Sequence, residues 1–243
     1  MSLLDLIYPK RCVGCRRFGA YICSSCFSYI TFSQSDFCTV CQRPAIDGLT
    51  HPRCKTRFEI DGVLSSVAYK GIVKRLIHHF KYNPYISDLR NVLCDLFYEG
   101  IIQKEIFFRV FSERSIFVPI PLHRGRMRER GFNQSKILAE GLVKKFQHEK
   151  SMIDQKPIVV MDFLQRTKRT SPQFGLSQKA RIVNMAGAFV IKKEFVKKIK
   201  TAEPVIFLID DIVTTGATLR EAARVLKRAG AVQVYGLALS HGR

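Results

Sequence analysis

The sequence has no apolar run that approaches the length of a membrane span, so we expect no membrane-spanning helix. Its first nine residues lack a basic region and carry Asp5 within their apolar stretch, which makes them a poor secretory signal. Acidic residues are also scarce, at 20 against 40 Lys and Arg, which gives a formal net charge of +20. From these absences we expect a cytoplasmic protein whose partner is anionic.

The basic residues are unevenly distributed. Five of them and no acidic residue fall between Arg166 and Arg181, and five lysines with a single glutamate fall between Lys192 and Lys200. Such concentrations favour a polyanionic partner, with nucleic acid first and anionic lipid second. The simpler alternative is a basic surface that only confers solubility, and charge does not decide between them.

Seven of the eight cysteines precede residue 55, and they form a repeated pattern of two ligands separated by two residues. Two such pairs supply the four tetrahedral ligands of a structural zinc ion. In a reducing compartment, paired cysteines favour metal over disulfides. The candidate ligands are Cys12, Cys15, Cys23, Cys26, Cys38, Cys41, His51 and Cys54. They are enough for one or two zinc ions; His51 is the weakest candidate, and the spacing does not determine which pairs share an ion.

Two domains are predicted. Residues 1–57 lack long apolar periodicities and need a metal to fold, so they are predicted to form a small zinc-binding domain. Residues 58–243 alternate apolar strands with amphipathic helices, which predicts a parallel α/β sheet covered on both faces. The predicted strands are 63–69, 116–121, 158–161, 187–191, 205–209 and 232–239, and the predicted helices are 72–80, 89–102, 135–146 and one that ends near Ala229 before Gly230.

The second candidate site follows the most apolar strand. Asp210 and Asp211 stand at its end, where carboxylates can accept hydrogen bonds from vicinal hydroxyls. The next residues offer hydroxyl donors and a close backbone approach to a phosphate, ahead of a helix N-terminus; they are Thr214, Thr215, Gly216, Ala217 and Thr218. Thr218 and Glu221 are further predicted to form a capping box that fixes the helix start. A plain polar turn is the alternative.

The segment 207–218 resembles the signature of type I phosphoribosyltransferases. The whole chain resembles the ComF/ComFC family of competence proteins, through its paired cysteines, residues 118–123 and 130–135, and Arg166, Thr167, Thr170, Gln173, Arg181 and Asn184. The resemblance implies a phosphoribosyltransferase-like fold in which the two acids hold the ribose hydroxyls and residues 214–218 hold the 5′-phosphate of phosphoribosyl pyrophosphate with Mg2+. It departs at His51, where the family usually has cysteine.

The resemblance also implies a role in natural transformation: handling of single-stranded DNA in the cytoplasm, at or near the inner membrane, with helicase and competence partners. Basic residues predicted to contact pyrophosphate or DNA are Arg124, Arg126, Arg128 and Arg130, in a loop after Pro121, and Arg166, Lys168 and Arg169, in a mobile lid over 166–173. Phe132, Tyr82 and Tyr85 are candidates for base stacking, although such aromatics more often lie in a core.

Three functions are compatible with these features. The first is a DNA-handling protein that retains a nucleotide-type ligand site. The second is an active phosphoribosyltransferase whose acceptor is unknown, and the third is a zinc-stapled scaffold with a vestigial pocket.

Overall fold

A computed structural model describes residues 9–32, 36–82, 87–148, 159–170 and 177–242. Its centre is a five-stranded sheet in the order β1-β7-β6-β2-β3, in which every neighbouring pair is parallel. The strands are β1 (Gly62–Ala68), β2 (Ser115–Pro119), β3 (Val159–Val160), β6 (Val205–Val213) and β7 (Gln233–His241), and a separate antiparallel pair is formed by β4 (Leu164–Arg166) and β5 (Phe189–Ile191). The prediction of a parallel α/β sheet is confirmed.

Helices cover both faces of the sheet. They are α1 (Ser24–Phe27), α2 (Gly71–Tyr82), α3 (Ser87–Ile102), α4 (Glu105–Val110), α5 (Arg124–Arg130), α6 (Gln134–His148), α7 (Gln178–Met185), α8 (Lys193–Ala202) and α9 (Ala217–Arg228). Short 3-10 turns occupy Ile46–Gly48 and Pro52–Cys54. Within these described ranges, no helix combines the length and the apolarity needed to cross a membrane.

The central strand β6 explains the two-sided core. Side chains alternate between the faces of a strand, so Phe207 and Ile209 pack in the cluster under α3 and α6, whereas Ile206 and Leu208 pack in the cluster under α9. All four are fully buried. A strand buried on both faces has to be continuously apolar, which is why this segment was identifiable from the sequence.

Several elements differ from the predictions. Residues 124–130 form the helix α5 and not a loop; His123 caps it by accepting a hydrogen bond from the Gly125 N–H through its ring. The predicted strand 205–209 continues through both acids to Val213. The predicted lid is wrong at its start, because Arg166 is buried on β4, and residues 171–176 lie outside the described ranges.

Candidate functional site

The eight predicted metal ligands form two groups of four. Cys12, Cys15, Cys23 and Cys26 compose the first, and Cys38, Cys41, His51 and Cys54 the second; the ligand atoms in each group lie within 4.8 Å of one another. Tetrahedral coordination at a Zn–S distance of about 2.3 Å places sulfurs about 3.8 Å apart. The Sγ atoms of Cys15 and Cys23 are 3.6 Å apart, which fits that geometry. Consecutive pairs therefore share an ion, and both groups suit structural zinc.

His51 is a ligand candidate with a defined orientation. Its Nδ1 lies 3.2 Å from the Cys41 Sγ, and its Nε2 lies 3.0 Å from the Pro44 carbonyl oxygen. An Nε2–H that donates to this carbonyl leaves the Nδ1 lone pair for a metal, as is usual for zinc-bound histidines. The replacement of a cysteine by His51 thus preserves the fourth ligand.

The two carboxylates at the end of β6 are buried. Asp210 Oδ1 accepts hydrogen bonds from the Ser135 hydroxyl at 3.2 Å and from the Asp211 N–H at 2.9 Å. Asp211 forms an ion pair with the ammonium of Lys81, from α2. Burial, followed by the negative charge of Asp211, raises the pKa of Asp210. The pair therefore stores an electrostatic cost that a ligand donating hydrogen bonds to these oxygens would relieve.

The threonine-rich turn connects β6 to α9. Thr214 accepts a hydrogen bond of 2.6 Å from Arg181 Nη1, and Gly216, at a φ of 75°, is the residue that precedes the helix. A recess of about 20 Å³ lies against Asp210, Thr214 and residues 216–218. Free N–H groups and the positive end of the dipole at a helix N-terminus favour an anion there.

The predicted capping box is absent. Gly216 caps α9 without a side-chain hydrogen bond, and Thr218 lies inside the helix. Glu221 accepts instead from the Gly187 N–H at 2.8 Å and from the Arg224 guanidinium. The error arose because Gly216 begins the helix two residues before the threonine that the motif singles out.

A cleft of about 620 Å³ opens over the carboxylates and this turn. Its volume is within the roughly 300–1,000 Å³ typical of small-molecule sites. One wall is α2, with Tyr69 just before it; the other consists of α5 and the start of α6. Its polar lining consists of Tyr69, His78, Lys81, Tyr82, Arg126, Glu129, Arg130, Gln134, Ser135, Arg166, Arg181, Asp210, Asp211, Thr214 and Thr218.

Arg166 is the most unusual cation of the cleft. It is only 7% exposed; its Nη2 donates to the Thr170 hydroxyl, while its Nε has no hydrogen-bond partner among the described residues. Burial lowers its pKa to about 10, and the positive charge of Arg126 acts in the same direction. Two guanidinium groups held together in this way provide the bidentate donors that bind phosphate oxygens.

The other predicted cations fall into two sets. Arg130 lines the cleft and its guanidinium lies 5.5 Å from the ring centre of Tyr82, which is 60% exposed. Arg124, Arg128, Lys168 and Arg169 are exposed and do not line it. Phe132 packs against Phe80 and the core, as the simpler alternative held, and Tyr85 lies outside the described residues.

Three residues of the cleft were not predicted as site residues. Lys81 pairs with Asp211, Arg181 bonds Thr214, and Gln134 is 5% exposed with an Oε1 that lacks a hydrogen-bond partner among the described residues. Arg181 was part of the family resemblance, which was the available signal for it. Lys81 and Gln134 lie on helices remote in sequence from the acids, and only the folded chain brings them there.

Comparisons with known proteins agree with both halves of this description. A family model for a double zinc ribbon domain matches residues 3–55. DNA utilization protein YhgH of Escherichia coli is 30% identical over 240 residues, which cover 96% of this chain and 98% of that protein. Competence protein ComFC of Bacillus subtilis is 28% identical over 221 residues, 86% of this chain and 79% of that protein.

A third relative matches over a shorter stretch. Competence protein F of Haemophilus influenzae is 34% identical over 126 residues, which span half of this chain and 48% of that protein. Since the likeness to the first two relatives extends over most of both chains, the chain belongs to the ComF/ComFC family of competence proteins, together with DNA utilization protein YhgH.

Proposed function

We propose that the chain binds phosphoribosyl pyrophosphate with Mg2+ in the cleft and that it handles single-stranded DNA during natural transformation. One observation carries the first half: a buried carboxylate pair, a helix N-terminus and the buried guanidinium of Arg166 all line the same cleft. Carboxylates match the hydroxyls of a ribose, and the two cationic regions match the phosphates attached to it.

Each part of the ligand has a counterpart in the cleft. Asp210 and Asp211 would accept hydrogen bonds from the ribose 2′ and 3′ hydroxyls, and residues 214–218 would donate to the 5′-phosphate. Arg126, Arg130 and Arg166 would hold the pyrophosphate by guanidinium hydrogen bonds. Mg2+ bound to the pyrophosphate oxygens would neutralise part of their charge.

Ligand binding has to compete with the ion pair between Lys81 and Asp211. The Lys81 side chain is 17% exposed and that of Asp211 is 6%, so little water screens the pair. Ribose hydroxyls that approach Asp211 share its oxygens with this ammonium. Lys81 therefore helps to keep Asp211 ionised and available as an acceptor.

Calorimetric titration with phosphoribosyl pyrophosphate, with and without Mg2+, tests this half of the proposal. The unaltered chain should bind, and Asp210→Ala and Asp211→Ala should each lower the affinity at least tenfold, about 1.4 kcal/mol. Asp162→Ala is the control, because Asp162 pairs with Lys136 at the surface and does not line the cleft. Absence of heat in the unaltered protein would leave a zinc-stapled scaffold.

The proposal of single-stranded DNA handling rests on exposed cations and on the names of the relatives, which are competence and DNA utilization proteins. Lys193, Lys197 and Lys198 on α8 are exposed and do not line the cleft. Exposed lysines bind nucleic acid through its phosphates, so the affinity should fall steeply with salt. Binding that persists unchanged at high salt would count against this half of the proposal.

An active phosphoribosyltransferase is the second candidate function. The observation that favours it is that the cleft continues beyond the carboxylates to Tyr69, His78 and Tyr82, whose rings offer stacking surfaces to an acceptor base. In that reaction an acceptor nitrogen would form a bond to ribose C1 as pyrophosphate leaves. Incubation with the sugar donor and a panel of nucleobases tests it, since pyrophosphate release with none of them would leave a binding site only.

A further inference from the structure

The two zinc knuckles have the same backbone but different residues at one position. Arg16 and Gln42 each follow the second cysteine of a knuckle, with φ values of 65° and 64°. Each N–H donates to the carbonyl of the knuckle's first cysteine at 2.8 Å. Arg16 is exposed, whereas Gln42 is half-buried.

Gln42 connects the second zinc knuckle to the turn that precedes α9. Its Nε2 donates to the Thr39 carbonyl at 2.7 Å and to the Thr215 carbonyl at 3.0 Å. Thr215 and Gly216 share one peptide group, whose carbonyl and N–H point in opposite directions in the trans form. The bond from Gln42 therefore fixes the Gly216 N–H on the side away from the knuckle.

Packing reinforces this hydrogen bond. Thr39, between the two cysteines of the same knuckle, is 1% exposed and lies directly beneath Gly216. A Cβ added to Gly216 would come within 2.5 Å of the Thr39 methyl. A further link is made by Glu59, which binds Arg220 in the first turn of α9 by two hydrogen bonds of 2.9 and 2.7 Å. The phosphate-binding turn thus lies on the second zinc ribbon.

We propose that the second zinc ribbon is a structural part of the sugar-phosphate site, and that Gln42 is a positioning residue that couples zinc binding to ligand binding. The coupling rests on the proposed function of the cleft. Cys38 and Cys41, held by zinc, fix the knuckle that carries Thr39 and Gln42, and these two residues fix the turn. Because coupling between two sites is reciprocal, ligand binding must also retain this zinc ion.

The test compares Gln42→Asn with Arg16→Asn, the matched change in the first ribbon. Asparagine tolerates the left-handed conformation but is one methylene shorter than glutamine, so it cannot reach Thr215. Gln42→Asn should accelerate hydrogen–deuterium exchange of the amides at 213–218 in the zinc-loaded protein and weaken binding of phosphoribosyl pyrophosphate about five- to tenfold, the loss expected for one net hydrogen bond. Arg16→Asn should change neither quantity.

The reciprocal measurement follows zinc release to a chromophoric chelator. Saturating phosphoribosyl pyrophosphate and Mg2+ should slow the release of one of the two zinc ions in the unaltered protein, and Gln42→Asn should remove this difference. Equal release rates, or unchanged exchange and affinity in Gln42→Asn, would overturn the coupling while the proposed function stands. If the unaltered protein bound no phosphoribosyl pyrophosphate, the proposed function would fail and the coupling with it.

Discussion

Asp210→Asn should make the protein more stable at pH 8 while removing its affinity for phosphoribosyl pyrophosphate. Burial, and secondarily the charge of Asp211, raises the pKa of Asp210 from 3.8 to about 7. Because the folded pKa exceeds the unfolded one, stability is greatest below the unfolded pKa and is lost as pH rises towards the folded pKa. Above pH 7 the cost of the ionised carboxylate reaches roughly 4 kcal/mol.

Asparagine removes this cost and adds a smaller one. Its Oδ1 can still accept from Ser135 and from the Asp211 N–H, but its new amide donor lacks a designed partner, which costs about 1–3 kcal/mol. The net gain at pH 8 is about 1–3 kcal/mol, or a rise in Tm of roughly 2–10 °C for a chain of this size. At pH 4 the gain should vanish or change sign.

Thermal unfolding of both proteins between pH 4 and pH 8 measures this crossing, with Asp162→Asn as the exposed control. A Tm difference that does not vary with pH, or a less stable Asp210→Asn protein at pH 8, would refute the electrostatic reasoning. The same protein should bind phosphoribosyl pyrophosphate at least tenfold more weakly than the unaltered chain, because its amide is a poorer acceptor for a ribose hydroxyl.

Further predictions concern the other parts of the molecule. Arg166→Met should weaken binding of phosphoribosyl pyrophosphate at least tenfold but leave ribose 5-phosphate binding unchanged by calorimetry, and an equal loss for both ligands would place Arg166 elsewhere in the site. Lys197→Glu combined with Lys198→Glu should weaken single-stranded DNA and lower its log-log salt slope by about one, without affecting calorimetric binding of the sugar phosphate; an unchanged slope would exclude α8. His51→Ala should lower the zinc content by elemental analysis from two ions per chain towards one, and a content of two would show that this ligand is dispensable.

The sequence was most informative where one local segment carries the whole signal. The pairs of cysteines and the β6–α9 segment are of this kind: spacing identifies the ligands, and a continuous apolar strand before a threonine-rich turn identifies the phosphate-binding turn. The grouping of consecutive pairs required the structure, because four equivalent pairs offer several combinations.

Other features depend on contacts between distant segments. Gln42 and Thr215 are 173 positions apart, and no local pattern connects them. The arginine-rich helix α5 was mistaken for a loop because its seven residues include few apolar side chains, so it has no hydrophobic periodicity to detect. The division into residues 1–57 and 58–243 stays a prediction, and contacts such as Gln42 with Thr215 cross it.

The most direct test is a crystal structure of the zinc-loaded protein with phosphoribosyl pyrophosphate and Mg2+. The account predicts ribose hydroxyls on Asp210 and Asp211, the 5′-phosphate at the start of α9, and the pyrophosphate against Arg166. A ligand bound away from the two carboxylates, or a cleft that stays closed to the ligand at saturating concentration, would contradict it.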